Sequence, residues 1–291
     1  MGTCVFTNNR VTNCSLRFAA LQLCTPATLN GDTLLPHTLS TKPLIFGSTQ
    51  ALSQAAAKFV SQLSEQAIAA RGRFTVALSG GSLPRLISEP LIAEPLRSRV
   101  NWSAWHVFWA DERCVPLDHP DSNYRLARVQ LFDHVPIPAN QIYPINETLP
   151  PAAAAAAYQD IMAQVFQLGR PYPRFDLILL GMGEDGHTAS LFPRHPLLSE
   201  TNQWVAPIFD SPKPPPTRIT LTLPVINQAE HVVFISTGAG KAGVLPLALG
   251  ADTEAGLVPA RMVQPQSGQL AWFVDEAAAQ LLKPETDDDQ L

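Results

Sequence analysis

Four short segments of the sequence carry residues whose types and spacing could do chemistry. The most informative is Gly181-Met182-Gly183-Glu184-Asp185-Gly186-His187, which follows the apolar run Phe175 to Leu180. A histidine titrates near neutrality and is the natural acid–base group at that pH. Here a glycine-rich turn presents it, with two carboxylates close by in sequence. The segment also fits G-x-G-x-x-G, a dinucleotide fingerprint that requires a sustained helix after the glycines. Pro193 and Pro196 stop any such helix early, which sets that reading aside.

The second segment is Ser79-Gly80-Gly81-Ser82, directly after the run Phe74 to Leu78 and before Pro84, a residue suited to a first helical turn. Glycines let a backbone approach an anion closely, and a helix N-terminus adds N–H groups and a favourable dipole. The residues fit a phosphate cradle, and they also fit an ordinary tight strand-to-helix turn. The third is Trp109-Ala110-Asp111-Glu112-Arg113. Charges at a strand end are costly to bury unless paired, and an arginine can hold a phosphate or carboxylate through two parallel hydrogen bonds. A surface ion-pair cluster is the plainer alternative. The fourth combines Arg218, opening a strand, with Thr237-Gly238-Ala239-Gly240-Lys241. Ile235 and Ala242 break the Walker A pattern there, yet a lysine at a glycine-rich helix start still offers a point charge to a phosphate. No G-x-S-x-G elbow and no Cys/His set at zinc spacing is present.

These segments need a scaffold that brings strand ends together. Ser48 to Leu63 carries apolar residues at helical spacing, with Ser48 as N-cap. Strands are predicted at 74–78, 105–109, 175–180, 219–223, 231–236 and 270–274. Helices are predicted at 123–132, 152–168, 241–249 and 275–282. The proline-rich stretches 136–151 and 207–216 read as loops. This alternation predicts an α/β fold of three layers, a mostly parallel sheet with helices on both faces. Ligands in such folds bind beyond the carboxyl ends of the strands, where the four segments fall.

The 291 residues, 46% of them hydrophobic, can bury a sizeable core, and the formal net charge of −5 argues against a nucleic-acid or acidic-membrane partner. Three of the four cysteines lie before residue 25, which is no disulfide framework and suits a reducing compartment. Residues 1–42 read as an N-terminal extension outside the catalytic domain (43–283), and 284–291 as an acidic tail. The first forty residues carry Arg10 and Arg17, many hydroxyl side chains and no acid before Asp32. They fit a disordered extension, a misplaced start or a transit peptide. Without a clear signal or an apolar run of about 20 residues, the default expectation is a cytoplasmic protein off the membrane.

Taken together the segments resemble the 6-phosphogluconolactonase family, a branch of the group that includes glucosamine-6-phosphate deaminase. The matching stretches are LSGGSLP (78–84), WADERCVPLDHPDSNYRLA (109–127), FDLILLGMGEDGHTASLFP (175–193), KPPPTRITLTLPVIN (213–227), GAGKAGVL (238–245) and LAWFVDEAAA (270–279). They cover the chain from about residue 43 to 282, in the family's order. Leu83 stands where threonine is commoner, and Arg194 where glycine is usual. The deaminase branch carries a glutamate five residues after the histidine to support ring opening, and this chain has Phe192 there. It also tends to have DEY in place of Asp111-Glu112-Arg113.

The resemblance implies hydrolysis of 6-phospho-D-glucono-1,5-lactone in the oxidative pentose phosphate pathway, with a phosphosugar lactone as ligand and no metal or organic cofactor. It implies His187 as the acid–base group, oriented by Asp185 or Asp111, and Arg113 stabilising the oxyanion or gripping the phosphate. Ser79, Gly80, Gly81, Ser82, Arg218 and Lys241 are the implied substrate-binding residues. A monomer or a homodimer fits equally. A phosphosugar-sensing binding protein on the same fold is the alternative from another class, one that would not need the histidine and the acidic cluster.

Overall fold

A computed structural model of the chain describes residues 42–167, 171–250 and 258–282. The readings of residues 1–41 and of the acidic tail lie outside them. Element order is β1 (Leu44–Phe46), α1 (Thr49–Arg71), β2 (Phe74–Leu78), α2 (Leu83–Leu91), α3 (Leu96–Arg99), β3 (Trp105–Trp109), β4 (Asp111–Arg113) and α4 (Asn123–Gln130). Then follow α5 (Pro151–Phe166), β5 (Leu177–Leu180), β6 (Val205–Ile208), β7 (Arg218–Leu221), α6 (Leu223–Ile226), β8 (His231–Ser236), α7 (Leu245–Leu249), β9 (Gln269–Asp275) and α8 (Glu276–Ala279).

Six strands form one sheet in the order β1-β9-β8-β5-β2-β3, with every neighbouring pair parallel. Every residue of β2 and β5 is buried, as expected for strands covered on both faces. The chain moves outward from β2 to β3 on one side and from β5 through β8 to β9 on the other. The crevice between β2 and β5 is therefore the topological switch point of the sheet, the position where α/β folds bind ligands. Both glycine-rich turns, 79–82 and 181–187, leave from its two walls.

Helix α1 starts where the sequence places it. The Ser48 hydroxyl accepts from the Ala51 N–H at 3.1 Å, and Gly72, at φ +74°, ends the helix. Leu52, Ala56, Phe59, Val60, Leu63 and Ala67 bury one face.

Three features depart from the sequence reading. The strand expected at 219–223 is β7, and it lies in a separate antiparallel sheet of order β4-β7-β6. Pro207, read as loop, sits in β6 opposite Ile219; β6 is an edge strand, where a missing N–H is tolerated. The helix expected over 241–249 divides into a 3₁₀ turn, Ala239–Lys241, and the short α7, with Pro246 in its first turn. At the end of β9, Asp275 caps α8 through the Ala278 N–H at 2.9 Å. It also accepts from the Gly238 N–H at 3.0 Å, which fixes the loop that carries Lys241.

Candidate active site

A cleft of about 230 Å³ opens at the carboxyl ends of the parallel strands. Every site residue named from sequence lines it except Asp185: Ser79, Gly80, Gly81 and Ser82 from the β2 turn, Asp111 and Arg113 from β4, then His187, Arg218 and Lys241. Lys213, Ser236 and Ala189 join them. Arg113, Lys213, Arg218 and Lys241 face one acidic lining residue, Asp111, so the cleft is locally cationic in a chain of net charge −5.

His187 is held by the turn that precedes it. The Gly183 N–H donates to the His187 carbonyl at 2.8 Å, and Gly186 takes φ +79°. A Cβ on Gly183 would lie 2.0 Å from His187 Nδ1 and 2.5 Å from Asp185 Oδ1, so only glycine fits against this pair. His187 Nδ1 lies 2.5 Å from Asp185 Oδ1, while Nε2 makes no hydrogen bond among the described residues. Burial holds the imidazole below its ordinary value of 6.5, against the opposing hydrogen bond and charge of Asp185; Lys213 lowers it further. Asp185 is itself held low, because the hydrogen bond and charge of His187 and the Lys213 ammonium at 3.5 Å outweigh its burial. Phe192, 2% exposed, packs on the imidazole with ring centroids 4.7 Å apart.

Asp111 is engaged elsewhere. Its Oδ2 accepts from the buried Ser190 hydroxyl at 2.8 Å, and Ser190 Oγ in turn accepts from Arg218 Nη1 at 3.3 Å. Glu112 turns away from the cleft to the start of α4. It accepts the N–H groups of Asn123 at 2.8 Å, Tyr124 at 2.7 Å and Arg113 at 2.7 Å. Burial raises its carboxyl to about 7, against those three hydrogen bonds. Arg113 donates from Nη1 to the Asp121 carbonyl at 2.7 Å.

Gly81, at φ +70°, lets the chain turn from β2 into α2. A Cβ on Gly80 would meet Asn123 Oδ1 at 2.0 Å, so the start of α4 packs directly on the turn. Three polar atoms of cleft-lining residues are buried without a hydrogen-bond partner among the described residues: Ser79 Oγ, Arg113 Nε and Ser236 Oγ. Burial lowers the Lys241 ammonium below its usual range; the Lys213 charge adds to this and Glu184 opposes it.

Reading the sequence missed Lys213, Ser190 and Ser236, and read Phe192 only as a missing carboxylate. Lys213 has one signal, its place before three prolines that lead to Arg218. Ser190 and Ser236 have none, since a buried serine reads like any other.

Comparison with known proteins places the chain in a family. The sequence model of the family described as glucosamine-6-phosphate isomerases/6-phosphogluconolactonase matches residues 47–272. A human protein named 6-phosphogluconolactonase is 49% identical over 240 residues, which span 82% of this chain and 92% of that protein. A rice protein (Oryza sativa subsp. indica) named probable 6-phosphogluconolactonase 3, chloroplastic, is 48% identical over 247 residues, 82% of this chain and 75% of its own length. The structure of 6-phosphogluconolactonase from Trypanosoma brucei superposes with a TM-score of 0.73 at 32% identity, covering 84% of this chain and 100% of that one. The rice protein's compartment leaves the expected cytoplasmic location without support, although no helix among the described residues is long and apolar enough to cross a membrane. By sequence and by fold, the chain belongs to the glucosamine-6-phosphate isomerase/6-phosphogluconolactonase family.

Proposed function

We propose that this protein hydrolyses 6-phospho-D-glucono-1,5-lactone to 6-phospho-D-gluconate, the lactone-opening step of the oxidative pentose phosphate pathway. The observation that carries the reading is the His187–Asp185 pair at 2.5 Å on the wall of a cation-lined cleft. With Asp185 ionised, Nδ1 carries the proton and Nε2 is left as the basic nitrogen. Nε2 takes a proton from water as the water oxygen bonds to the lactone carbonyl carbon, and the carbonyl electron pair moves to oxygen. Arg113 lines the same cleft, and its guanidinium charge is suited to that oxyanion. When the tetrahedral centre collapses, the bond to the ring oxygen breaks and Nε2–H returns its proton there. Lactones are activated esters, so one acid–base group and positioning suffice. The turn 79–82 and Lys241 take the phosphate, by close backbone approach and by charge.

Phe192 supports hydrolysis over sugar-phosphate deamination. The deaminase pattern needs a carboxylate at this position, whereas here a buried ring desolvates the histidine and keeps it neutral. The discriminating assay offers the lactone and glucosamine 6-phosphate in parallel. The proposal expects lactone opening above the spontaneous rate and no ammonia release; ammonia release without accelerated opening would reverse it.

A further inference from the structure

The sequence groups Arg218 with the phosphate ligands, but its donors are committed. Pro214, Pro215 and Pro216 have no N–H and cannot join a strand ladder, so the carbonyls of this run depend on a donor from outside it. Ser211 donates to two of them, from Oγ to the Lys213 carbonyl at 2.8 Å and from N–H to that of Pro216 at 3.1 Å, and Arg218 supplies the other donors. Its Nε donates to the Pro215 carbonyl at 3.0 Å, and Nη2 donates to those of Lys213 at 2.8 Å and Pro214 at 3.2 Å. Nη1 donates to Ser190 Oγ at 3.3 Å, and the guanidinium lies 5.7 Å from the centroid of the Phe192 ring. A guanidinium has five N–H groups: one on Nε, two on Nη2 and one on Nη1 are used here, which leaves one. Arg218 is also 3% exposed. A bidentate grip on a phosphate needs two parallel donors, which this arginine no longer has.

Lys213 is placed differently. Its side chain is 45% exposed, its Nζ lies 3.5 Å from Asp185 Oδ1, and it lines the same cleft as Lys241. The two ammonium groups repel each other across that space, an arrangement that a dianion between them would relieve.

We propose that Lys213 and Lys241 together grip the phosphate dianion of the substrate. Arg218 is then a positioning residue that staples the Lys213–Pro215 carbonyls and so keeps the Lys213 ammonium over the cleft. This rests on the phosphosugar reading of the cleft given above.

At a pH well above 6.5, where His187 is neutral with or without the Lys213 charge, Lys213→Met is expected to raise KM by roughly 10- to 100-fold, the worth of one charge-assisted contact, with kcat changed by less than about threefold. Lys213→Arg should recover most of that loss. Arg218→Lys should also raise KM, and the double variant Arg218→Lys/Lys213→Met should be no worse than the poorer single variant within about twofold. An unchanged KM in Lys213→Met would overturn the clamp, and KM effects that multiply in the double variant would make Arg218 a substrate ligand. Should Arg218→Lys not fold, the wild-type protein decides. On titration with inorganic phosphate, the Lys213 side-chain NMR signal should shift while the Arg218 Nε–H signal stays. A shift of Arg218 without Lys213 would overturn the proposal. Phosphate binding that weakens in Lys213→Met, in a wild type that opens no lactone, would keep the clamp and refute the hydrolase reading.

Discussion

The Phe192 ring lies against the His187 imidazole, with centroids 4.7 Å apart and an angle of 30° between the planes. This contact gives the histidine an apolar wall, which disfavours the imidazolium and favours the neutral form that the proposed base requires. Phe192→Ala should admit water, raise the His187 pKa toward 6.5 and move the acid limb of the kcat/KM profile to higher pH. The cavity should also cost about 3–5 kcal/mol in urea unfolding. An acid limb that stays in place would separate Phe192 from the tuning of the base.

The sign of the pH dependence follows from the same balance. A base must be deprotonated to act, and burial holds His187 below its ordinary 6.5, so activity should be level through neutrality and fall only at pH below 6.5. Asp185 works to raise that pKa through its hydrogen bond and charge. Asp185→Asn should therefore move the acid limb further down in pH, and lower the plateau by roughly tenfold or more because the imidazole tautomer is no longer enforced. A limb that moves to higher pH would contradict this assignment.

Gly183→Ala tests the geometry without removing a charged group. The added Cβ would fall 2.0 Å from His187 Nδ1, so the imidazole must leave its place. The rate should drop nearly as far as on removal of the histidine, by ~10²-fold or more. Binding of inorganic phosphate, measured by calorimetry, should stay within about threefold of the wild type, since neither Lys213 nor Lys241 is among the atoms nearest the added Cβ. Loss of phosphate binding would show that the turn at Gly183 shapes the whole cleft.

The backbone at Arg194 accounts for the glycine usual in the family. It takes φ +60°, a left-handed conformation that glycine adopts without a Cβ penalty and arginine does not. Arg194→Gly should stabilise the fold by about 0.5–1 kcal/mol, the steric relief less the entropy that glycine loses, with activity unchanged. A lower urea midpoint in the variant would mean that the arginine side chain contributes more than its backbone costs.

The parts of the site legible in the sequence are those that local pattern determines. The runs 74–78 and 175–180 end in glycines, and a buried apolar strand followed by a glycine turn locates a strand's carboxyl end directly. Position at strand ends and the family resemblance together single out His187, Ser79 to Ser82 and Lys241, and all of them line the cleft. The strand pairing after β3 was less visible. The strand read at 105–109 is β3, but at Ala110 the chain leaves the parallel sheet and enters the antiparallel one as β4, a strand the sequence reading did not contain. The Ala110 N–H still donates to the Leu78 carbonyl at 2.8 Å, while its own carbonyl accepts from Leu221 at 2.7 Å. Nothing in one alanine announces that change of sheet. The partner of Arg218 was hidden for a similar reason: its acceptors are backbone carbonyls, and sequence records side chains. The choice between Asp185 and Asp111 also required coordinates, because the competition for Asp111 comes from Ser190, 79 positions away.

The central claim is that His187 moves the proton in lactone opening. The most direct measurement follows lactone disappearance by NMR, with lactone generated in situ from glucose 6-phosphate and its dehydrogenase and the spontaneous rate subtracted. Wild type should accelerate the opening, and His187→Ala, with its fold intact by circular dichroism, should lower kcat by ~10²–10⁴-fold. A loss below about tenfold in a folded variant would contradict the account.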